Sequence, residues 1–359
     1  MKVVARFEVP YYQFLGETSA AIAKLPEFSQ DRKYLLHLYR LMVLIRTFDS
    51  KAISLQRTGK LGTYPSTRGQ EAVFVGIGAA LASDDIFVPY YRDVGTLIQR
   101  GVSLTDILMY WGGDERGNCF SQNTTDMPFS VPVGSQPLHA AGIATALKIR
   151  GEKRAVLTTC GDGATSQGDF YEAMNLAGVW RLPLVFVVSN NQWAISVSRD
   201  QQTAAETLAQ KAIAAGFNGE QVDGNDVIAV RERVHVALEA ARNEHKPTLL
   251  EIISYRQSDH TTADDASRYE AKGARDAAWV HEPIARLRVY LENQGWWSAA
   301  EEEAYLNECQ AEVEKSVNAY LAMPPQDPAS IFDYLYQTLP SIYQTQRDDL
   351  LQKGNLEHE

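Results

Sequence analysis

An aspartate flanked by glycines follows a predicted strand in the stretch CGDGATSQGDF, residues 160–170. The apolar run RAVLTTC leads into this stretch. A helix-like run, DFYEAMNLAGVW, begins at its last two residues. A second apolar run, PLVFVVSNN, ends at Asn191. In a strand–helix–strand unit, Asp162 and Asn191 would both lie at the carboxyl ends of parallel strands, where open α/β sheets bind their ligands.

The chemistry of these side chains favours a cation. A carboxylate and an amide oxygen are hard ligands that suit Mg²⁺, which usually completes its shell with phosphate oxygens and water. Backbone amides of Gly163 and Ala164, opening a helix, would donate to the same phosphate. The stretch therefore predicts a site for a magnesium diphosphate. A nicotinamide dehydrogenase would instead require G-x-G-x-x-G directly after a strand, and the sequence has none placed in that way.

The elements that must hold these residues alternate along the chain. Apolar strands at AVLTT, PLVFVVSNN and PTLLEIISYR alternate with helical runs, which predicts a doubly wound, mainly parallel α/β fold. We expect an N-terminal arm over residues 1–30, an α/β domain over 31–275, and a helical C-terminal extension over 276–359 packed on the same domain. The polar loop 257–275 is expected to be mobile when no cofactor is bound.

Composition excludes several classes of function. The 359 residues carry a formal net charge of −11, which argues against a nucleic-acid or membrane-surface binder, because both need a basic face. Three scattered cysteines make neither a disulfide framework nor a zinc cluster. Because no apolar run approaches about 18 residues, we expect no membrane-spanning helix. These features favour a cytoplasmic protein with no nucleic-acid or membrane partner.

The sequence around Asp162 also resembles a known family. GDGATSQGDFYEAMNLAGVWRLPLVFVVSNNQWAIS is similar to the alpha subunit of the thiamine diphosphate-dependent decarboxylase component of 2-oxo acid dehydrogenase complexes. Further stretches follow the family in order: GQEAVFVGIGAAL, PYYRDVG, QVDGNDVIAV, PTLLEIISYR, DHTTADDASRY and EPIARLRVYLENQGWW. The resemblance covers residues 30–345 and implies thiamine diphosphate and Mg²⁺ as cofactors.

The resemblance implies roles for the residues that would hold the cofactor. Asp162, Asn191 and the backbone carbonyl of Trp193 would ligate Mg²⁺. Tyr91 and Arg92 would bind the diphosphate, for which the planar guanidinium supplies several donors.

Other roles implied by the resemblance concern the organic part of the cofactor and the subunit contacts. Backbone groups of Val131 and Val133 would contact the aminopyrimidine. His260 would bind cofactor and face the reacting centre, where protons move near neutral pH. Asp169 and Glu172, three residues apart on one helix face, would belong to an acidic network towards a subunit interface.

Three positions depart from the family pattern. Asp259 precedes His260, and a carboxylate there would raise the pKa of the imidazole. Ser189 stands before the two asparagines, where relatives often carry a larger polar residue, so one polar contact should be missing or replaced. Thr261 follows His260 at the place of a phosphorylated serine in animal relatives, and nothing in the sequence marks it as regulatory.

The resemblance further implies half of an active site. Relatives obtain an essential glutamate from a separate beta subunit, so we expect two alpha and two beta chains with the cofactor at their interfaces. The implied reaction is oxidative decarboxylation of a small 2-oxo acid, pyruvate first, with transfer of the acyl group to the lipoyl domain of a dihydrolipoyl acyltransferase. Branched-chain 2-oxo acids such as 3-methyl-2-oxobutanoate are the alternative, and acetoin is third. A catalytically silent scaffold is a different class, against which the intact Asp162, Asn191, Arg92 and His260 argue.

Overall fold

The centre of the structure is a sheet of parallel strands. The computed structural model of the chain describes residues 1–120 and 125–356. The strands are β1 (Tyr11–Tyr12), β2 (Ile86–Val88), β3 (Val156–Gly161), β4 (Leu184–Asn190), β5 (Trp193–Ala194), β6 (Val197–Ser198), β7 (Asn218–Asp223) and β8 (Thr248–Ile253). The main sheet has the order β1–β7–β8–β4–β3–β2, with every neighbouring pair parallel, and β5 and β6 form a separate antiparallel pair.

Helices alternate with the strands and cover the sheet. The helices of the described ranges are α1 (Arg32–Arg57), α2 (Glu71–Ala80), α3 (Val94–Gln99), α4 (Leu104–Trp111), α5 (Gln136–Arg150), α6 (Gly168–Trp180), α7 (Arg199–Gln202), α8 (Lys211–Ala214), α9 (Val227–Glu244), α10 (Ala274–Trp279), α11 (Pro283–Asn293), α12 (Ala299–Leu321) and α13 (Ser341–Leu356). Helices α5 and α6 pack together on β-strand side chains such as Val156, Phe186 and Val188. Helix α9 contacts β4, β7 and β8, and α2 lies against α9. The predicted doubly wound, mainly parallel α/β fold is confirmed.

The central strands bring the two predicted metal ligands to the same edge. All of β4 is buried, as expected for a parallel strand covered on both faces. The register sets Gly161 of β3 opposite Ser189 of β4. Because the two strands are parallel, the residues that follow them, Asp162 and Asn191, leave the sheet side by side at its carboxyl edge.

Asp226 ties the N-terminal segment to the sheet. One carboxylate oxygen accepts from the backbone N–H groups of Phe14 and Leu15, at 2.7 Å each. The other accepts from Ile228 and Ala229, which caps the first turn of α9. One buried acid therefore fixes the start of a helix and the chain segment that follows edge strand β1.

The chain divides into two compact units, residues 1–317 and 318–359. In the second unit, α13 packs with the 3₁₀ turn Pro328–Phe332. The domain limits expected from the sequence, at residues 30 and 275, stay predictions. None of the helices in the described ranges combines the length and apolar composition that crossing a bilayer requires.

Candidate active site

A cavity of about 530 Å³ opens at the carboxyl edge of β3 and β4. The sequence-predicted residues that line this cavity are Tyr91, Arg92, Val131, Val133, Asp162, Gly163, Ala164, Asn191, Trp193 and His260. The positions that the sequence assigned to metal, diphosphate, aminopyrimidine and reacting centre therefore surround a single space.

Asp169 and Glu172 do not contribute to the described lining of this cavity. Both are exposed on α6, whose opposite face is buried through Phe170 and Ala173. Their acidic network towards a subunit interface stays a prediction.

Asp162 is a buried carboxylate with one oxygen that has no partner among the described residues. It directly follows β3 and its side chain is almost fully enclosed, at 1% exposure. Its Oδ2 atom is buried and has no hydrogen-bond partner in the described part of the chain. Burial raises the pKa of Asp162 from 3.8 to about 6, against the lowering effect of its own backbone amide and of nearby arginines such as Arg256 and Arg92. A bound cation would supply the missing charge.

The glycine-rich segment after β3 begins a 3₁₀ turn rather than α6. Residues Asp162–Ser166 form this turn, and α6 starts only at Gly168. The turn is held because the backbone carbonyl of Asp162 accepts from Thr165 Oγ1 and Gln202 Nε2, both at 2.8 Å. The expected amide donors of Gly163 and Ala164 thus open a tighter, shorter helix than predicted. A Cβ atom on Gly163 would lie 2.9 Å from that of Ala194, so this close approach favours glycine.

Arg92 is held in place from two sides. This guanidinium is 1% exposed, and its Nη1 atom donates to the backbone carbonyl of Ser66. Its Nη2 atom donates to the carbonyl of His260 at 3.1 Å. The guanidinium carbon lies 5.4 Å from the ring centre of Tyr91, whose ring in turn meets the His260 imidazole edge-on. Tyr91, Arg92 and His260 therefore form one packed cluster.

The segment that carries Val131 and Val133 is anchored at both ends. Ser130 pairs with Tyr90 in an isolated parallel bridge and accepts from Gln136 Nε2 through its carbonyl at 2.7 Å. Gly134 has a φ of +84°, a conformation that favours glycine. Both valine side chains are exposed, at 46% and 51%.

The electrostatic environment of His260 differs from the expectation. Its Nδ1 atom lies 3.4 Å from Arg256 Nη1 and 3.5 Å from Arg92 Nη2. Burial, followed by these two cations, lowers the pKa of His260 from 6.5 to about 3, and Asp264 opposes the effect only weakly. The prediction that Asp259 would raise this pKa is wrong.

The reason is that Asp259 faces away from the imidazole. Its Oδ1 atom accepts from Arg275 Nη2 at 3.0 Å and from the backbone N–H of Ala266 at 3.2 Å. Asp264 is the acid that contacts His260, since it accepts from the backbone N–H of that residue at 2.8 Å. Asp259 therefore stabilises the loop.

Arg256 is a buried cation that the sequence interpretation missed. It follows β8 and donates through Nη2 to the carbonyl of Ile195 at 2.8 Å and to the hydroxyl of Tyr269 at 2.7 Å. The available signal was an arginine just after a buried parallel strand, in SYRQSDH. Nothing local indicated that its guanidinium would reach His260.

Gln70 was also missed. Its Oε1 atom accepts from Asn191 Nδ2 at 3.0 Å and from Ser189 Oγ at 3.2 Å. The polar contact expected to be missing or replaced at Ser189 is thus made by a short hydroxyl to a glutamine from another element. In the sequence, the stretch GQEA indicated only the start of a helix.

These groups fit a magnesium diphosphate. The cavity combines an unpaired buried carboxylate oxygen, the side chain of Asn191, and the guanidinium of Arg92. No three His, Cys, Asp or Glu side chains of residues 1–120 and 125–356 are grouped as a metal cage. A cation here would therefore need amide, carbonyl and phosphate oxygens beside Asp162, which are ligands that Mg²⁺ accepts.

Comparison with known proteins agrees with this arrangement. Residues 39–329 match the family described as "Dehydrogenase E1 component". The chain belongs to the dehydrogenase E1 component family. It is 39% identical over 341 residues to "Pyruvate dehydrogenase E1 component subunit alpha" of Bacillus cereus, which covers 94% of this chain and 91% of the relative.

Further members of the family show the same extent of similarity. The protein of that name from Bacillus subtilis (strain 168) is 38% identical over 345 residues, 95% of this chain and 92% of the relative. The one from Staphylococcus aureus (strain Mu50 / ATCC 700699) is 38% identical over 340 residues, 94% of this chain and 90% of the relative. The dehydrogenase E1 component family depends on thiamine diphosphate.

Proposed function

We propose that this chain is the alpha subunit of a 2-oxo acid dehydrogenase E1 component, an oxidoreductase that decarboxylates pyruvate. The observation that carries the proposal is the unpartnered, buried Oδ2 atom of Asp162 in a cavity that also holds Asn191 and the Arg92 guanidinium. Three relatives that are 38–39% identical carry pyruvate in their names, which supports this substrate over branched-chain 2-oxo acids or acetoin.

In this proposal, the carboxyl edge of β3 and β4 binds the cofactor. Asp162, Asn191 and the carbonyl of Trp193 would hold Mg²⁺. Tyr91, Arg92 and the amides of Gly163 and Ala164 would bind the diphosphate, while the backbone at Val131 and Val133 would contact the aminopyrimidine. Thiamine diphosphate, when bound, supplies the electron sink for loss of CO₂.

His260 would be the catalytic residue of this chain. Because its pKa is lowered to about 3, the imidazole is neutral at physiological pH. Its Nδ1 atom faces the guanidinium groups of Arg92 and Arg256, so Nε2 carries the hydrogen and would donate a hydrogen bond to the reacting group. The carbonyl of His260 is fixed by Arg92 and its N–H by Asp264, so the ring is presented to the cavity from a held backbone. Arg92 and Arg256 would also keep the surroundings positive, which suits an anionic 2-oxo acid.

The partners follow from the same proposal. The relatives are named as alpha subunits, which supports a complex with another subunit. In this proposal that partner is a beta subunit, with two of each chain, which would complete the active site. The acyl group would pass to the lipoyl domain of a dihydrolipoyl acyltransferase, with the complex in the cytoplasm.

The test is decarboxylation coupled to an artificial electron acceptor, with this chain copurified with its beta subunit. Pyruvate, 3-methyl-2-oxobutanoate and acetoin are compared, with and without thiamine diphosphate and Mg²⁺. We expect cofactor-dependent turnover, fastest with pyruvate, that is lost in Asp162→Ala and retained in Asp84→Ala, an exposed aspartate just before β2. Absence of both turnover and cofactor binding would contradict the proposal and favour the silent scaffold.

A further inference from the structure

We propose that Gln70 is a positioning residue, which fixes the side-chain amide of Asn191 so that its oxygen is presented to the metal. The inference rests on the proposed function, because it concerns the Mg²⁺ that Asn191 would bind. An asparagine amide can ligate only through its oxygen, so the direction in which it points decides whether the site exists.

The first part of the evidence is the pair of hydrogen bonds that Gln70 accepts. This side chain is fully buried, and its Oε1 atom accepts from both Asn191 Nδ2 at 3.0 Å and Ser189 Oγ at 3.2 Å. The NH₂ group of Asn191 is thereby held on the Gln70 side. The Oδ1 atom of Asn191 lies in the same amide plane and must then point to the opposite side of the Cβ–Cγ bond.

The second part is a donor on that opposite side. The backbone N–H of Trp193 donates to Asn191 Oδ1 at 3.2 Å. A carbonyl oxygen has two lone pairs, so one remains for a cation. If the amide were turned over, its NH₂ group would face the Trp193 N–H while its oxygen would face Gln70 Oε1. Both contacts would then be repulsive in a buried place where an unmade hydrogen bond costs about 1–3 kcal/mol.

The backbone of Gln70 is held at the start of a helix. It immediately precedes α2, between Gly69 with a φ of +86° and the buried Glu71. The Glu71 carboxylate pairs with Arg46 and accepts from the Gly69 N–H at 3.0 Å. The acceptor that orients Asn191 is therefore fixed by a helix start rather than by a mobile loop. In this chain the Ser189 hydroxyl donates to the same oxygen.

The experiment measures metal affinity rather than turnover. The chain with its beta subunit is titrated with Mg²⁺ at fixed thiamine diphosphate, and binding is followed by quenching of tryptophan fluorescence, to which Trp193 in the cavity lining should contribute. Gln70→Met and Gln70→Leu keep a similar volume but lack the acceptor. We expect each to raise the half-saturating Mg²⁺ concentration about tenfold or more. Ser189→Ala, which retains the Gln70–Asn191 bond, should stay within about threefold of the unchanged protein.

A rescue separates orientation from packing. Asn191→Asp places an oxygen on both sides of the group, so in the Gln70→Met background it should recover most of the lost Mg²⁺ affinity. If Gln70 only filled space in the core, Asn191→Asp would not restore the Mg²⁺ affinity, and that result would overturn the inference. So would a half-saturating concentration within twofold of the unchanged protein in both Gln70 variants. If the unchanged protein itself shows no Mg²⁺-dependent binding, the proposed function fails first.

Discussion

The Nη2 atom of Arg92 donates to the backbone carbonyl of His260 at 3.1 Å and lies 3.5 Å from the Nδ1 atom of the same residue. One guanidinium therefore fixes the backbone of the proposed catalytic histidine and also disfavours protonation of its ring. Arg256 acts on the same nitrogen from 3.4 Å. The positive surroundings of His260 are thus built by two arginines that follow different strands.

We predict that His260 remains neutral well below pH 6. In histidine-¹³C-labelled protein, one ring resonance, assigned by its loss in His260→Gln, should not titrate between pH 7 and 5, because burial, Arg92 and Arg256 lower the pKa to about 3. The unfolded chain takes up this proton near pH 6.5, so the contribution of neutral His260 to stability is present above 6.5 and is lost as pH falls towards 3.

The lowered pKa of His260 should also make the free energy of unfolding depend on pH in urea denaturation. Between pH 6 and 4 the unchanged protein should lose up to about 1.4 kcal/mol per pH unit more unfolding free energy than His260→Gln. Parallel pH dependences of the two proteins would contradict the prediction.

A second pH dependence is predicted at Asp93. Burial raises the pKa of this carboxyl from 3.8 to about 8, although it accepts from Thr159 Oγ1 and from the Tyr90 N–H. Because the folded-state pKa is raised, the stabilising contribution is present below pH 3.8 and is lost as pH rises through about 8. Asp93→Asn should therefore gain unfolding free energy relative to the unchanged protein between pH 5 and 8.

The matched control is another buried aspartate that has a cation. Asp85 pairs with Arg242 at 2.7 Å, so Asp85→Asn should destabilise the protein throughout this pH range. Chemical denaturation at several pH values measures both differences. A constant difference between Asp93→Asn and the unchanged protein would show that the Asp93 carboxyl does not titrate in this range.

We predict that Arg275 restrains the loop over residues 257–275. It joins Asp259, at 3.0 Å, to Glu270, at 2.6 Å, and Glu270 also accepts from the Tyr255 hydroxyl. Without cofactor, Arg275→Ala should be cleaved in this loop several times faster by proteinase K than the unchanged protein. Arg268→Ala, an exposed arginine of the same loop, serves as the control.

Thiamine diphosphate and Mg²⁺ should slow this cleavage in the unchanged protein. Mass spectrometry of the fragments locates the cut. Equal rates for the two arginine variants would exclude Arg275 as the restraint, and an unchanged rate with cofactor would contradict the expected mobility of the loop.

A fourth prediction concerns a close backbone contact in the core. A Cβ atom on Gly178 of α6 would overlap the carbonyl oxygen of Ala215, so Gly178→Ala should lower the unfolding free energy by about 1–3 kcal/mol. A Cβ atom on Gly142 of α5 would have no described atom within 4 Å. Because alanine favours a helix over glycine, Gly142→Ala should raise the unfolding free energy by about 0.5–1 kcal/mol. Urea midpoints of the two variants that move in the same direction would contradict this packing.

The sequence determined the fold class and much of the cavity lining. Buried parallel strands appear in the sequence as apolar runs. A polar residue at the end of such a run indicates the edge of the sheet where ligands bind. Asp162 and Asn191 could be placed together for that reason, because adjacent parallel strands end at the same edge. Arg92, Val131 and His260 were selected by resemblance to a family, since no local pattern distinguishes them from surface residues or loops.

Only the tertiary structure decided which side chains surround these residues. Gln70 meets Asn191, and Arg256 meets His260, through contacts between elements whose spacing in the sequence carries no information about direction. Asp259 adjoins His260 in the chain yet pairs with Arg275, because the loop turns its carboxylate outward. From its position in the sequence, Asp259 was expected to raise the pKa of His260. In the folded chain, burial, Arg92 and Arg256 lower that pKa instead. Desolvation and charge proximity act through space, and they become defined only when the chain has folded.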